Sequence, residues 1–526
     1  MEEREKMNKE KKSNLDRIFD VIDENAKYPR FLCAGLSLIL WTVAGSFITS
    51  DVILAALPEN RSKNCTENGL PIEYSFANNW TENTAAIHFS LLCDREKLVH
   101  DFKTGTMMGL FPGVLLSGLI SDKFGRKTAM VIFSFLSSLA ALFTRILGPQ
   151  NVGFFIIGRI FMNGCAHGAS VICFVYLTEM STPKFRTQTG MFACGVIFSF
   201  GVFLNSILGF FLDSWLDILV ALSIMPTVSF FVWYFVPRSY RWLFSSGKFI
   251  PARNALKQYS KNCGSELSEE LLHEILEEQK ALASENNEDV KKEKLVTKVV
   301  KILARDSTRS VVLRMFFLWM FIGMYYFALL LPADLPGNTL VNNVLTAAME
   351  GLGALLMVLV VNMVWCYRTV LIGKGCLLAG VCSIASSVVI YLQANSISST
   401  FDLTVLILQY TTFFAVSAVF ALLFVYTGEM FPTDIRATCF AICSLGGRFG
   451  SLIAPQIAKL GFISTCIPKF VFALLMFAVF RLCQKLPETK GAPLLQSITE
   501  LEEFYKKNTK RKEDKEENIS LKLSIS

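Results

Sequence analysis

The chain has 526 residues, of which 52% are hydrophobic and only 18% are charged, and its mean hydropathy is +0.44. Soluble globular proteins carry about 25% charged residues, so this composition excludes an ordinary soluble domain and indicates a membrane protein. The net charge of +7 is then explained by basic cytoplasmic loops, and we expect the bilayer, not a nucleic acid, as its surroundings.

Apolar stretches of about 20 residues recur along the chain, the length that crosses the core of a bilayer as a helix. They predict an all-α membrane protein with two six-helix bundles, at residues 31–236 and 310–484. A cytoplasmic N-terminus (1–30), a polar cytoplasmic linker (237–309) and a cytoplasmic tail (485–526) complete the predicted organisation. The twelve predicted spans are residues 31–56, 100–120, 128–147, 152–176, 187–212, 215–236, 310–331, 341–365, 369–393, 402–428, 437–460 and 463–484.

The distribution of Lys and Arg in short loops predicts the orientation of these spans. Loops on one side carry basic residues such as Arg126, Lys127 and Arg436, whereas the loops 148–152 and 332–340 on the other side carry none. Because basic loops stay in the cytoplasm, both termini are predicted to be cytoplasmic.

The loop at residues 57–98 is therefore predicted to face outward. It contains glycosylation sequons at Asn60, Asn64 and Asn79, which agrees with this orientation. Cys65 and Cys93 are the cysteines of this loop, where a disulfide can persist. We expect them to form a disulfide; the alternative is that Cys93 lies unpaired at the membrane edge.

Two cytoplasmic segments differ in their capacity to fold. Residues 265–282 place apolar side chains at helical spacing among many glutamates, which predicts an amphipathic helix. Residues 506–518 have too little apolar content to pack and are predicted to be disordered. This tail is either a solvated segment or the contact for a cytoplasmic partner or anionic lipid.

A repeat with an offset of 250 residues relates the two halves. Repeats of this length in membrane proteins are typical of transporters with a substrate site between the halves. The repeated residues are Tyr176, Glu179, Met180 and Arg186 in the first half, Tyr426, Glu429, Met430 and Arg436 in the second, and Pro237 with Pro487.

The segment GLISDKFGRK (118–127) follows the second predicted span. Its glycines allow a sharp turn, Asp122 can pair with a cation or cap a helix, and Arg126 anchors the turn in the cytoplasm. The second-half counterpart, NMVWCYR (362–368), keeps little beyond Arg368, so its gating role is in doubt.

The repeated Glu and Arg residues predict a cytoplasmic lock. Glu179 with Arg186, and Glu429 with Arg436, can form charge-assisted bonds that break as the two halves move. The alternative is that these residues anchor the helix ends at the membrane surface without gating.

The motifs HFSLLCDREKLVH (88–100), YTGEMFPTDIR (426–436) and LPETKGAPL (486–494), with GLISDKFGRK, resemble the organic cation/anion/zwitterion transporter family (solute carrier family 22) of the major facilitator superfamily. The resemblance implies a plasma-membrane transporter of small organic ions that works by alternating access. One departure is PRSYRWL (237–243), where the family usually has PESPRWL.

Arg448 is a charged residue near the middle of a predicted span, with Gly446, Gly447 and Gly450 opening space around it. A charged side chain at that depth costs at least about 2.5–3.5 kcal/mol, which favours a functional role. The resemblance implies that Arg448 binds a carboxylate or sulfate, since anion transporters and carnitine-type transporters carry an Arg there. The alternative is an internal ion pair with Glu350, which an anionic substrate could displace.

The resemblance also assigns aromatic residues to the substrate pocket. Tyr325 and Tyr326 match a tyrosine pair in the anion transporters, Phe420 and Phe424 match two pocket phenylalanines, and Phe198 matches a third. Where dicarboxylate exchangers carry a Lys, this chain has Ala354, which favours monovalent or amphipathic anions, or zwitterions.

We therefore expect organic anions as the main substrates. The alternatives are an organic cation or carnitine-like zwitterion transporter, or a receptor that no longer transports. The sequence contains no nucleophile–base constellation, nucleotide loop or metal-ligand cluster, so we expect no enzyme activity, no cofactor and no metal.

Overall fold

The computed structural model describes residues 27–57, 60–61, 74–75, 84–181, 185–289, 304–330, 335–363, 365–393, 399–432, 435–490 and 501–505. These segments are almost entirely helical. The first half contains α1 (Lys27–Thr49), α2 (Asp51–Leu54), α3 (Ala85–His88), α4 (Lys97–Met108), α5 (Leu110–Phe124), α6 (Arg126–Leu147), α7 (Val152–Met180), α8 (Arg186–Met191), α9 (Phe198–Phe211), α10 (Trp215–Ile224) and α11 (Phe230–Phe235).

The linker and the second half continue this pattern. The linker contains α12 (Tyr240–Ser245), α13 (Phe249–Asn262) and α14 (Glu269–Asp289), and the second half contains α15 (Asp306–Leu330), α16 (Thr339–Val360), α17 (Arg368–Gln393), α18 (Ser399–Met430), α19 (Arg436–Ala458) and α20 (Cys466–Gln484). The loop at residues 57–98 contains one short antiparallel pair, β1 (Asn60–Arg61) with β2 (Tyr74–Ser75). A π-helical segment covers Phe192–Ile197, and 3-10 turns cover Cys93–Arg95, Gly148–Gln150, Met225–Ser229 and Lys459–Phe462.

Within the described ranges, ten helical segments are long and apolar enough to cross a membrane, and they coincide with ten of the twelve predicted spans. The span at 215–236 is divided by a 3-10 turn that contains Pro226, which cannot donate a backbone hydrogen bond. The span at 437–460 is the helix α19, which is continuous but carries Arg436 and Arg448 and is therefore less apolar.

The contacts divide the chain into two units. Unit 1 contains Met1–Phe47, Pro112–Gly201 and Leu219–Glu293. Its helices pack closely where glycines meet: a Cβ atom on Gly113 of α5 would lie 2.2 Å from the backbone oxygen of Gly164 in α7. Only glycine permits this approach, so the sequence sets the distance between these two helices.

Unit 2 contains Ile48–Phe111, Val202–Ile218 and Lys294–Ser526. Its core is formed by α15 against α19, α17 against α18 and α20, and α16 against α18. Helix α4 of the first half belongs to this unit because it packs against α19. The contact units therefore differ from the halves that the sequence repeat defines.

The linker folds as a small helical layer in unit 1. Helix α14 buries Leu272 and Ile275, as expected of an amphipathic helix over residues 265–282. A hydrogen bond from Lys257, joined by Arg253, lowers the pKa of Glu269 at the start of α14. The Tyr259 hydroxyl donates to the Met180 carbonyl at 2.5 Å, which ties the linker to the end of α7.

Candidate functional site

An aromatic cluster lies where α15 packs against α18 in unit 2. The rings of Tyr326 and Phe420 stack with centroids 4.4 Å apart and planes 12° apart. Trp319 meets Phe420 and Phe424 edge-on, at 5.7 and 4.8 Å. We call Tyr326, Phe420, Phe424 and Trp319 the aromatic cluster. The structure thus brings together three residues that the sequence singles out and adds Trp319.

Glu350 of α16 joins this cluster. Its side chain is 1% exposed, and its carboxylate accepts a hydrogen bond from the Tyr326 hydroxyl. Its backbone oxygen accepts from the Ser417 hydroxyl at 2.9 Å, which holds α16 against α18. A buried carboxylate beside aromatic faces is an environment that attracts an organic cation, since both the charge and the ring quadrupoles favour it.

Arg448 is half-buried in α19 of the same unit. Its Nη1 donates to the Ser444 carbonyl, one turn earlier in the helix, at 3.1 Å. An ion pair between Arg448 and Glu350 is the predicted alternative to substrate binding by Arg448. In the structure the described partner of the Glu350 carboxylate is Tyr326, and Arg448 is supported by its own helix.

The glycines around Arg448 have a different role from the expected one. A Cβ atom on Gly446 would lie 2.4 Å from the Phe316 backbone oxygen, and one on Gly450 would lie 2.3 Å from that of Met320. These glycines therefore let α19 pack directly on α15. They set the helix contact and do not open space for the guanidinium.

The two neighbouring tyrosines of α15 have different surroundings. The Tyr325 ring stacks on Phe472 of α20, with centroids 4.8 Å apart and planes 7° apart, and its hydroxyl hydrogen-bonds with Ser383 of α17. Successive residues of an α-helix point about 100° apart, because a turn contains about 3.6 residues. The predicted tyrosine pair is therefore divided between the aromatic cluster and the interior of α15, α17 and α20.

Phe198 lies in unit 1. It is buried at the start of α9, directly after the π-helical segment, and its ring meets the Trp41 ring edge-on at 6.4 Å. Its predicted role in substrate binding stays a prediction.

A charged cluster lies at the C-terminal end of α7 in unit 1. Arg126 Nε donates to Glu179 at 3.0 Å and its Nη1 donates to Asp122 at 2.8 Å. The Ser239 hydroxyl donates to the other oxygen of Glu179. This cluster joins the GLISDKFGRK turn, α7 and the start of the linker, so it holds three segments together at one point.

The turn that carries this cluster depends on Gly125. This residue has φ of +92°, and a Cβ atom there would lie 2.9 Å from the Trp242 ring. Trp242 in turn donates from Nε1 to the Asp122 carbonyl at 2.9 Å. Glycine is needed here for both its backbone conformation and its lack of a side chain.

The second half contains the corresponding cluster in unit 2. Arg368 contacts both carboxylate oxygens of Glu429, at 2.9 and 3.2 Å, and its Nη1 donates to the carbonyls of Val361 and Cys366. The Thr489 hydroxyl donates to Glu429 at 2.7 Å. Arg368 therefore pairs with Glu429 in the second half as Arg126 pairs with Glu179 in the first, although the sequence around Arg368 keeps little of the first-half motif.

The 250-residue offset extends to further contacts of these two clusters. Tyr176 donates to the Pro237 carbonyl at 3.0 Å, and Tyr426 donates to that of Pro487 at 2.8 Å. Thr489 lies 250 residues after Ser239, and both hydroxyls bind the repeated glutamate. The repeat thus preserves hydrogen bonds as well as residue types.

The arginines that the sequence pairs with these glutamates are placed differently. The side chain of Arg186 lies outside the described part of the chain. Arg436 donates from Nε to the Phe431 carbonyl at 2.9 Å, within its own turn, while Glu429 pairs with Arg368. The Glu429 partner therefore differs from the predicted one, since Arg436 is engaged by the turn that precedes α19.

One position of the repeat differs in charge. Glu488 accepts from the backbone N–H groups of Arg368 and Thr369, at 2.8 and 3.0 Å, and so caps the N-terminus of α17. The residue 250 positions earlier is Arg238, which is exposed and close enough to Lys127 for their like charges to interact. The carboxylate that caps α17 is thus replaced by a cation in the first half.

The outer-loop predictions fall mostly beyond what the structure describes. Asn64, Asn79 and Cys65 lie outside the described residues, as does the side chain of Asn60. Cys93 is disulfide-bonded. The predicted disorder of residues 506–518 also lies outside the described part. Among the residues that are described, no group of three His, Cys, Asp or Glu side chains could hold a metal ion.

The chain is similar to known transporters along most of its length. The profile of the family described as "Sugar (and other) transporter" matches residues 97–501. The "Organic cation transporter-like protein" of Drosophila melanogaster is 25% identical over 472 residues, which cover 87% of this chain and 79% of the relative. The "Organic cation/carnitine transporter 2" of Homo sapiens is 26% identical over 432 residues, covering 80% and 72%. The "Solute carrier family 22 member 7" of Rattus norvegicus is 24% identical over 443 residues, covering 83% and 77%.

Solved structures give the fold. The proton:xylose symporter XylE bound to 6-bromo-6-deoxy-D-glucose superposes with a TM-score of 0.62 at 18% identity, covering 91% of this chain and 100% of that chain. A partially occluded inward-open form of XylE from E. coli gives 0.60 at 18% identity, covering 89% and 100%. This likeness confirms the predicted fold, the twelve-helix major facilitator fold. The family profile is that of transporters, which confirms the prediction that the chain is not an enzyme.

Proposed function

Because the chain belongs to the sugar (and other) transporter family, we propose that it carries small organic ions across a membrane by alternating access. The preferred substrates in this proposal are organic cations or carnitine-like zwitterions. The observation that carries the proposal is the buried Glu350 carboxylate, which contacts Tyr326 of the aromatic cluster.

The chemistry of this arrangement favours a positive substrate group. A quaternary ammonium has no hydrogen-bond donors and is recognised by aromatic faces together with a nearby negative charge. The stacked rings of Tyr326 and Phe420 provide the faces, and Glu350 provides the charge. Two relatives are named as organic cation or organic cation/carnitine transporters, which supports the same substrate class.

Arg448 accounts for a second substrate group. A guanidinium binds a carboxylate through two parallel hydrogen bonds, so a zwitterion could use Arg448 and Glu350 at its two ends. Transport of organic anions is the second candidate function, and Arg448 is the observation that favours it. In that case the guanidinium would be the main recognition group and Glu350 would repel the substrate.

A receptor that no longer transports is a weaker reading of this chain. That alternative rests on the eroded 362–368 segment and the altered 237–243 segment. Arg368 in the 362–368 segment makes the same kind of contact with Glu429 as Arg126 makes with Glu179, which supports a working transporter.

We propose a plasma-membrane location with both termini in the cytoplasm. Protease protection of tagged termini in intact cells would test this orientation, and digestion from outside would contradict it.

The test of substrate class compares uptake of labelled tetraethylammonium, L-carnitine and p-aminohippurate in cells that express the wild type or single variants. Glu350→Gln keeps the shape of the side chain and removes its charge. We expect it to lower tetraethylammonium uptake at least about tenfold, the loss expected from one charged hydrogen-bonding partner. Arg448→Gln should lower carnitine uptake and leave tetraethylammonium uptake close to the wild-type rate.

The outcomes separate the two candidates. If the wild type takes up p-aminohippurate and not tetraethylammonium, and Arg448→Gln abolishes that uptake, the anion function is correct and the cation proposal is wrong. If surface-expressed wild type moves none of the three ions above a vector control, the transport proposal for these classes fails.

A further inference from the structure

A short segment of the C-terminal tail returns to the second half of the protein. Residues 501–505, with the sequence LEEFY, are helical and belong to unit 2. Leu501 is 1% exposed, so this segment packs against the protein. The orientation proposed from the basic loops places it in the cytoplasm. We call residues 501–505 the tail segment.

The tail segment contacts two arginines at the start of α15. Arg305 Nη1 lies 3.7 Å from a carboxylate oxygen of Glu502. The Arg314 guanidinium lies over the Tyr505 ring, 5.6 Å from its centroid, and donates to the Lys485 carbonyl just beyond α20 at 3.4 Å. Within the described ranges, the structure pairs no carboxylate with Arg314. This half-buried cation therefore faces a tyrosine ring without a described counter-ion.

The contacts of the tail segment are weak enough to open. Arg305 and Glu502 are 48% and 25% exposed, and such a pair contributes little to stability because water and salt screen it. Tyr505 is half-buried and Glu503 is exposed, so the tyrosine becomes accessible when this short helix leaves α15. Segments of low local stability open in this way while the rest of the protein stays folded.

The residues before Tyr505 suit a tyrosine kinase. Glu502 and Glu503 lie shortly before it in the chain, and acidic residues at such places are bound by basic groups of many cytoplasmic tyrosine kinases. Tyr367 offers a comparison on the same predicted side of the membrane. It is 49% exposed before α17, but it follows the uncharged residues NMVWC.

We propose that Tyr505 is phosphorylated by a cytoplasmic tyrosine kinase and that its phosphate then binds Arg314 and Arg305. The Tyr505 hydroxyl oxygen attacks the γ-phosphorus of ATP on the kinase, the bond to the ADP oxygen breaks, and the phenol proton passes to the catalytic aspartate of the kinase. The new group carries a charge of about −1.5 to −2 and three acceptor oxygens. It supplies a counter-ion for Arg314.

Phosphorylation thereby changes the tail segment from a weakly held helix to a firmly docked one. Bonds between guanidinium and phosphate are charge-assisted and can be bidentate, and partial burial of Arg314 strengthens them. The docked segment holds the start of α15, the helix that carries Tyr326 of the aromatic cluster. This regulation requires the cytoplasmic location proposed for the C-terminus, but it does not depend on which ion is transported.

The first test is phosphorylation of the purified full-length protein in nanodiscs, with ATP and the catalytic domain of a non-receptor tyrosine kinase. Mass spectrometry maps the modified residues. We expect at least about tenfold more phosphate on Tyr505 than on Tyr367, because the acidic residues direct the kinase to Tyr505. Tyr505→Phe should remove the Tyr505 signal. The proposal is wrong if Tyr505 stays unmodified or if both tyrosines are modified equally.

The second test measures hydrogen exchange of the tail segment before and after phosphorylation. We expect the amides of residues 501–505 to exchange about tenfold or more slowly in the phosphorylated protein, the effect of one charge-assisted hydrogen bond. Arg314→Gln should remove most of this protection and leave phosphorylation intact, whereas Arg314→Lys should keep part of it. Arg309→Gln is the matched control and should change nothing, because Arg309 is already paired with Asp306 in the same turn.

Arg305→Gln should also reduce the protection, and it carries the test if Arg314→Gln is not monodisperse. Docking is refuted if phosphorylation leaves exchange of the tail segment unchanged or faster, or if both arginine variants keep full protection. A C-terminus that proteases digest from outside the cell would also overturn the proposal. Phosphorylation and exchange are read on the purified protein, so a failed uptake experiment leaves these results unaffected.

Discussion

At the scale of single residues, the Tyr326 hydroxyl connects the aromatic cluster to charge. Its ring stacks on Phe420 while its oxygen donates to the buried Glu350 carboxylate. A hydrogen bond to a charged group contributes about 1.5–3 kcal/mol, roughly twice a bond between neutral groups. The position of the carboxylate therefore depends on this one hydroxyl.

We predict that Tyr326→Phe lowers kcat/KM for tetraethylammonium uptake by about tenfold or more, because it removes the donor to Glu350 and keeps the stacked ring. Tyr325→Phe is the matched variant, since the neighbouring hydroxyl bonds to Ser383 in other surroundings. Initial-rate uptake by both variants, normalised to surface expression, checks the prediction. An equal loss in both variants would mean that the aromatic cluster has no special role.

The residues of the cluster differ in how far the sequence predicts them. The i,i+4 spacing of Phe420 and Phe424 predicts a shared helix face, and their rings meet at 5.5 Å. Trp319 has no such signal, since its place against them depends on how α15 packs on α18. The division of Tyr325 from Tyr326 likewise depends on the rotation of α15, which no local pattern defines.

At the scale of helices and turns, Arg368 is more enclosed than Arg126, whereas its partner glutamate is more exposed. The Arg368 side chain is 5% exposed and Arg126 is 13% exposed, but Glu429 is 28% exposed and Glu179 is 16% exposed. Arg368 also holds two backbone carbonyls at the turn before α17. Breaking a buried pair by removing one partner costs about 3–5 kcal/mol, and partial exposure reduces the cost.

We predict that Arg368→Ala destabilises the protein by about 3 kcal/mol, at the low end of that range because Glu429 is partly exposed. Arg126→Ala should cost less, since Asp122 in its cluster is largely exposed. The drop in thermal midpoint of the purified protein in detergent, measured for both variants, checks the order. A larger drop for Arg126→Ala would reverse our assignment of the stronger cluster.

The positive charge of Arg238 leads to a second prediction, which concerns the N-terminus of α6. Arg238→Glu would place a carboxylate where Glu488 lies in the second half, near the N-terminus of α6. A negative charge at a helix N-terminus contributes about 0.3–1 kcal/mol, and the change also removes a cation close to Lys127. We therefore expect a higher thermal midpoint for Arg238→Glu. Arg238→Gln should give an intermediate value, and a lower midpoint for Arg238→Glu than for the wild type would contradict the capping argument.

The sequence repeat predicts the glutamates of these clusters better than their partners. Glu429 follows Glu179 by the offset of the repeat, whereas Arg368 follows Arg126 by 242 residues (368 minus 126). The segment from Arg368 to Glu429 spans 61 residues and the segment from Arg126 to Glu179 spans 53, so a search in the 250-residue frame misses this arginine. Only the folded turn brings it back to the equivalent place.

At the scale of the whole molecule, the ends of α4 and α19 in unit 2 are joined by polar contacts. Asp101 pairs with Lys459, and Gln456 donates to the Thr104 hydroxyl at 2.6 Å. Alternating access requires contacts on each side of the membrane to form and break in each cycle. Asp101 and Lys459 are partly exposed, at 44% and 25%, so their pair contributes about 0.2–1 kcal/mol and can open readily.

We predict that Asp101→Lys slows uptake by no more than about fivefold, the rate equivalent of an exposed pair. The double variant Asp101→Lys with Lys459→Asp restores the attraction and should recover most of the rate. Uptake of the same labelled substrate by the single and double variants measures this. No recovery in the double variant would exclude the charge pair as the cause of the loss.

The sequence predicts the helical architecture better than it predicts the contacts between helices that are distant in the chain. Apolar length predicts all of the spans, including 215–236, which Pro226 divides, and 437–460, which Arg448 makes less apolar. Substrate class depends on which buried charge faces which ring. The contact between Tyr326 and Glu350 joins residues that are far apart in the sequence, and a hydropathy pattern does not predict such a contact.

Tyr325 and Tyr326 are adjacent in α15, yet Tyr325 lines a cavity of ≈ 400 Å³ within unit 2 and Tyr326 belongs to the aromatic cluster. A compound that moves one ring must also move the backbone that carries the other. An inhibitor in the cavity beside Tyr325 would then lower the maximal rate without competing for the transported ion. A substrate mimic stacked on Tyr326 would raise the apparent KM instead. One turn of helix would thus give this transporter two pharmacologically distinct classes of blocker.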